Sequence, residues 1–144
     1  MPSANLLAAP CGIHCGLCPM HRASTDAGLR QLLAQRMNLP EEKAHCAGCR
    51  GVEGHCPVIG EQCLTYLCVR EKGVEFCSDC AEFPCPKLMP CADRADKLPH
   101  NLKIYSLTLR KLKGEAAWEK AVGQAYALYH GGRMVIGRGP QPKD

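Results

Sequence analysis

"CGIHCGLCP", residues 11–19, sets Cys11, Cys15 and Cys18 within eight residues and closes them with a proline. Thiols spaced so tightly serve to ligate a metal, to exchange electrons, or to close disulfides. The choice governs the fold, because the chain carries 12 Cys in 144 residues and all of them lie between positions 11 and 91. Aromatic residues make up only 5% of the chain. With so few large apolar side chains, crosslinks of some kind have to hold the cysteine-rich part together.

Disulfides are disfavoured. The N-terminus "MPSANLLAAP" has no basic residue after Met1 and only a short apolar run, unlike a secretory signal. No stretch approaches membrane-spanning length. The chain therefore reads as cytoplasmic and free of the membrane, and in a reducing compartment a cysteine array means metal or redox chemistry.

A C-x2-C spacing recurs at 15/18, 46/49 and 77/80. On a tight turn it points two thiolates at one ion while backbone N–H groups turn towards the sulfurs. "CAGCRG" (46–51) is the best-formed of the three, since Gly48 and Gly51 permit the sharp turn. Cys11, Cys56, Cys63, Cys68, Cys85 and Cys91 add six more thiols. All twelve are candidate ligands, enough for two or three zinc ions or alternatively for [4Fe-4S] clusters, although spacing does not say which share a site. The knuckle and the lack of a complete ferredoxin run favour zinc; the Cys-Pro steps at 18–19, 56–57 and 85–86 favour iron–sulfur. With thiols sufficient, His14, His45 and His55 read as loop residues or as donors behind the ligands. Residues 11–18 also match the C-x3-C-x2-C of radical S-adenosylmethionine enzymes. Leu17, however, stands where those enzymes carry an aromatic residue, and 144 residues cannot build their barrel.

Between and after the cysteines the pattern is helical. Leu29, Leu32, Leu33 and Met37 share a face, with Ser24, Thr25 or Asp26 as cap and Pro40 as stop. Cys63, Leu64, Leu67 and Cys68 suit a short helix ended by Gly73. In "EFCSDCAEFPCPKLMPC" the prolines allow only short helical turns. Beyond Pro99, Leu102, Tyr105, Leu109 and Leu112 form one stripe, capped by Asn101. Trp118, Ala121, Val122, Ala125 and Tyr129 form another, stopped at Gly131, and both stripes are expected to be core. The expected fold is mainly α: a small irregular, metal-stapled, cysteine-rich domain with short helices and little or no sheet. Residues 1–96 would be its body, 97–132 a two-helix segment packed on it, and 133–144 a flexible tail.

Charge is asymmetric. Residues 97–144 hold nine Lys or Arg against three acidic residues, +6, and residues 1–96 hold nine against eleven, −2. Twelve thiolates around three divalent ions would take the first segment to −8 and the chain to −2, so the formal +4 does not make this a basic protein. Three functions follow, in order of preference: a zinc-stabilised module that binds a protein partner or supports a complex, an iron–sulfur redox protein, and nucleic-acid binding through the basic segment. An enzyme is disfavoured, since P-loop, G-x-G-x-x-G and H-E-x-x-H motifs are all missing.

The motif order "CGIHCGLCP", "CAGCRG", C-x4-C at 63/68 and "EKGVEFCSDCAEFPC" resembles the family called domain of unknown function 3795, short cysteine-rich proteins of bacteria and archaea. The resemblance spans about residues 9–88, with a weaker echo in "NLKIYSLTLRKLKGEAAW". Every cysteine but Cys91 falls on its pattern. It implies a metal-binding domain and no established reaction.

Overall fold

A computed structural model describes residues 5–143. Its contacts divide the chain into two units, residues up to Cys80 and residues from Ala81.

The first unit begins with a tight loop. Ala8 and His14 face each other across an antiparallel bridge, and the Cys15 N–H donates to the Leu7 carbonyl at 2.7 Å. A 3-10 turn (Cys15–Leu17) leads into α1 (Pro19–Arg22), with Pro19 at its first position, where a missing N–H costs nothing. Helix α2 (Ala27–Met37) starts where the Asp26 carboxylate accepts from the Leu29 N–H at 3.0 Å and ends on Asn38 in the left-handed region. Of the expected apolar face, Leu29, Leu33 and Met37 are half-buried. Ala34 is the fully buried residue, and Leu32 lies on the exposed side. Helix α3 (Leu64–Lys72) begins after Cys63 and stops at Gly73, φ 67°. It buries Val69, while Leu64 is exposed.

The buried apolar residues of this unit are small. Ala8, Ala9, Ala23, Ala34, Ala44, Cys15 and Cys46 outnumber Met20, Val69 and Phe76. At about 1.5–3 kcal/mol for each fully buried large side chain, the three contribute less than one structural zinc, about 10 kcal/mol.

The second unit is helical. A 3-10 turn (Pro99–Leu102) runs into α4 (Lys103–Lys113), which packs against α5 (Glu115–Gly131). The buried apolar residues are Leu88, Leu107 from α4, and Trp118, Val122 and Tyr126 from α5. Of the expected α5 stripe Trp118 and Val122 are buried, Ala121, Ala125 and Tyr129 are half-buried, and Tyr126 is the third buried residue. The α4 stripe corrects the sequence expectation: Tyr105 is 55% and Leu112 73% exposed, and the buried pair is Ser106–Leu107. Ser106 is inside because its hydroxyl accepts from the Trp118 indole N–H at 2.7 Å. Ser106→Ala leaves that buried donor unpaired and is expected to cost about 1–3 kcal/mol, measurable by urea denaturation followed through the fluorescence of Trp118. Asn101 does not cap α4 either. Its side-chain amide brackets the Cys91 backbone, accepting from the N–H and donating to the C=O at 3.0 Å each.

Residues 133–144, expected as a tail, contain a two-stranded hairpin, β1 (Arg133–Val135) with β2 (Gly139–Gln141), in the register Arg133 opposite Gln141. Two glycines at positive φ, 137 and 139, turn it. Short helices with one such ribbon make the fold mainly α and irregular. Among the described residues no helix is long and apolar enough to cross a membrane.

Candidate functional site

In the described residues all twelve cysteines are free thiols. Three short segments of the first unit bring six of them together. The first is the 11–18 loop, with Cys15 buried and Cys11 and Cys18 half-buried. The second is the 46–51 turn. Its Cys46 is pinned at both backbone ends, donating from N–H to the Met20 carbonyl at 2.9 Å and accepting at C=O from the Ser24 hydroxyl at 3.0 Å. The third is the 54–60 loop that carries Cys56.

Sulfur contacts join these segments. The Cys49 thiol and its N–H both donate to Cys15 Sγ, the N–H at 3.4 Å. The Cys46 thiol donates to Cys56 Sγ. Cys18 lies within electrostatic reach of Cys15 and Cys56, and Cys11 of Cys49. Each hydrogen-bonded pair splits its proton affinities. Cys15 is lowered to about 7 by the Cys49 thiol, helped by the Cys49 N–H and the Arg50 charge. Cys56 is lowered to about 6 by the Cys46 thiol and by the N–H groups of Val58 and Ile59. The donors Cys46 and Cys49 move up, by giving their hydrogen bonds and by burial. Burial pushes Cys18 up.

Apart from the Cys49 N–H on Cys15, the backbone donors to sulfur follow one rule. Cys18 accepts from the N–H groups of Met20 and His21, Cys46 from Gly48 at 3.4 Å, and Cys56 from Val58 and Ile59, in each case two or three residues on. Proline after Cys18 and Cys56 presets the helical φ that turns those N–H groups back. Gly48 sits at φ 98°, a conformation that an L side chain resists. At Gly51 the reason is space: a Cβ there would meet the Ala47 carbonyl at 2.9 Å.

Arg50, which sequence reading missed, ties this region together. Its Nε donates to the Ala8 carbonyl at 2.7 Å and an Nη to the Glu75 carbonyl at 2.9 Å, and the guanidinium lies 4.8 Å from the Phe76 ring centroid. One side chain thus joins the 8–15 loop, the knuckle and the 75–80 turn. The signal in the sequence was a lone cation directly after the second knuckle cysteine, between Cys49 and Gly51.

The other predicted ligands are placed as follows. Cys63 donates its N–H to the Gly54 carbonyl at 2.8 Å, and Cys68 is half-buried on α3. Cys77 and Cys80 flank a 3-10 turn, and the Cys77 N–H donates to Pro10 O at 2.9 Å, beside Cys11. Cys85 and Cys91 belong to the second unit, Cys91 exposed. The His14 ring accepts the Gly16 N–H at 3.1 Å, and His45 and His55 are exposed. Among the described residues no group of three or more His, Cys, Asp or Glu side chains is placed so as to hold a metal ion as it stands. The sulfurs meet as pairs.

The family described as "Protein of unknown function (DUF3795)" matches residues 7–90, more than half of the chain. The chain belongs to that family. Within it, DUF3795 covers the three sulfur-bearing segments, Arg50 and eleven of the twelve cysteines, and leaves out Cys91 and both long C-terminal helices. No curated protein and no solved structure matches the chain.

The thiol pairs make stability depend on pH. Cys15 and Cys56 fall from 9.0 to about 7 and about 6 on folding, so their contribution is complete above pH 9.0 and is lost as pH drops through those values. Cys46 and Cys49 move up from 9.0, so theirs is complete below pH 9.0 and is lost as they ionise. Stability of metal-free protein is therefore expected to climb from pH ~6 to ~9 and to decline above it, as urea denaturation across that range would show.

Proposed function

We propose that the first unit is a thiolate metal-binding module whose ion is structural, with Cys15, Cys46 and Cys49 as its central ligands and either Cys18 or Cys56 supplying the fourth. The observation that carries the reading is the set of backbone N–H groups aimed at Cys15, Cys18, Cys46 and Cys56. Donors of that kind stabilise thiolate charge and orient the sulfurs, as the surroundings of a metal site do. A divalent ion would take the place of the two protons that the Cys15–Cys49 and Cys46–Cys56 pairs share.

Zinc is the preferred ion. It suits the 46–51 knuckle and would give a unit whose core is mostly alanine and cysteine the crosslink it needs. The remaining thiols, Cys11, Cys63, Cys68, Cys77, Cys80 and Cys85, are candidates for a second or third ion, whereas Cys91, exposed and outside the family match, is set apart as a free thiol. The module would act in the cytoplasm as an accessory to a protein partner. A second reading, a [4Fe-4S] cluster and electron transfer, is favoured by the Cys-Pro steps at 18–19 and 56–57 with their returning N–H donors. Elemental and acid-labile sulfide analysis of protein purified without oxygen separates the two. Colourless protein with zinc and no sulfide is the expected result. Brown protein with iron and matching sulfide would replace it with the cluster reading, and metal-free folded protein would overturn both.

A further inference from the structure

The two thiols of the knuckle do not donate to each other. The Cys49 thiol donates to Cys15 Sγ and the Cys46 thiol to Cys56 Sγ, so each reaches into another segment. Cys46 and Cys56 differ in access. Cys46 is 6% exposed, and its backbone is fixed at N–H to Met20 and at C=O to Ser24. Cys56 is half-buried on a loop whose His55, Val58 and Ile59 are exposed. Its sulfur receives three donors, the Cys46 thiol and the N–H groups of Val58 and Ile59. A reachable sulfur with converging donors, in contact with a second thiol behind it, is the arrangement of a peroxide-sensitive cysteine and its resolving partner.

We propose that Cys46 and Cys56 form a thiol–disulfide switch, closed by a hydroperoxide, that empties the metal site. The inference rests on the metal reading for the loss of the ion, not for the closing of the bond. The peroxide reaches Cys56 first. Its O–O bond breaks, one oxygen passes to the Cys56 sulfur as a sulfenic acid, and the remainder leaves as an alcohol or as water. The Cys46 sulfur then attacks the Cys56 sulfur. The S–S bond forms, the S–O bond breaks, and the hydroxyl leaves as water with the Cys46 proton, or with a solvent proton where the ion has replaced it. The sulfurs together lose two electrons, and the peroxide takes them up. Whether Cys18 or Cys56 is the fourth ligand, Cys46 ceases to be one, and the ion dissociates from the thiolates that remain. A redox-active C-x2-C closes within itself; here Cys46 and Cys49 aim their protons at different partners, so the bond falls across segments. In the Cys15–Cys49 pair the neighbours His14, Gly16, Gly48 and Arg50 are all buried or half-buried, so peroxide reaches that pair later.

The test treats the full chain carrying Cys91→Ser, purified with its metal and without oxygen, with hydrogen peroxide. The substitution removes the exposed thiol that would link one copy to another. Samples are alkylated and digested, linked cysteines are assigned by fragmentation in the mass spectrometer, and released ion is followed with a chromogenic chelator. The first bond to appear is expected to join Cys46 to Cys56, with the ion lost at the same rate. A dithiol reductant should then reopen the bond and restore zinc uptake. A first bond within a C-x2-C or between Cys15 and Cys49 overturns the inference. So does Cys56 carried to the sulfinic acid without a bond, a closed bond that leaves the ion in place, or no reaction of Cys56 at all. Protein that purifies without metal overturns the metal reading by itself, and the first bond mapped in it still decides the pair.

Discussion

Cys15→Ser combined with Cys46→Ser is expected to strip the protein of one metal equivalent and to unfold residues 5–80. Each substitution removes the thiol best held in its segment. Cys15 takes two hydrogen bonds from Cys49, and Cys46 is fixed through its own N–H and C=O to Met20 and Ser24. Serine keeps the size but is a poor soft ligand. A structural zinc site contributes about 10 kcal/mol, more than the whole stability margin of many small domains, about 5–15 kcal/mol. The unit's three large buried side chains, Met20, Val69 and Phe76, cannot make up that loss. Circular dichroism and metal analysis of the double variant check it. The α4–α5 pair, built on Leu107, Trp118, Val122 and Tyr126, should retain its helicity. Cys91→Ser is the matched control: the residue is exposed and outside the family match, so metal content and stability should not move.

The second large effect belongs to Arg50. Arg50→Ala removes two charge-assisted hydrogen bonds to backbone carbonyls and a cation–π contact. Charged hydrogen bonds contribute about 1.5–3 kcal/mol each and a partly desolvated cation–π contact about 1 kcal/mol. Because the terms share one side chain they do not simply add, and a loss of about 3 kcal/mol or more is expected. Arg50→Lys should recover little, since one ammonium on a flexible stem cannot reproduce the planar fork that spans Ala8 and Glu75. Weaker metal retention should accompany the instability, because the same contacts hold the 8–15 loop against the knuckle. Urea denaturation and metal competition against a chelator measure the two effects. A change within about 0.5 kcal/mol, the usual range for a surface residue, would mean that Arg50 does not organise the site.

The helices were legible in the sequence because their ends are written in local chemistry. Asp26 caps α2, Gly73 ends α3, and Gly131 closes the last turn of α5. The knuckle was legible for the same reason, since Gly48 has a conformation only glycine adopts readily. What periodicity could not tell was which face of α4 meets a neighbour. Its most apolar stripe is half-buried at Leu102 and Leu109 and exposed at Tyr105 and Leu112, and Ser106 was unreadable as a core residue because its burial depends on Trp118, twelve residues away. Asn101 is a similar case: good cap chemistry went to a backbone ten residues back. The hairpin at 133–141 is built by two glycines in a segment with no alternation to announce it. Cysteine spacing, for its part, identified ligand candidates but not their grouping. The pairs are 15 with 49 and 46 with 56, across segments, rather than within any C-x2-C. Such grouping is a property of the folded chain, and so is the reach of Arg50.

The most direct test is cysteine footprinting of the native protein with iodoacetamide, read residue by residue by mass spectrometry, before and after chelation of the metal. Protection of Cys15, Cys18, Cys46, Cys49 and Cys56 that is lost together on chelation, with Cys91 alkylated rapidly in both states, is the predicted result. Alkylation of those five thiols at the same rates with and without chelator would contradict the assignment of a metal to them.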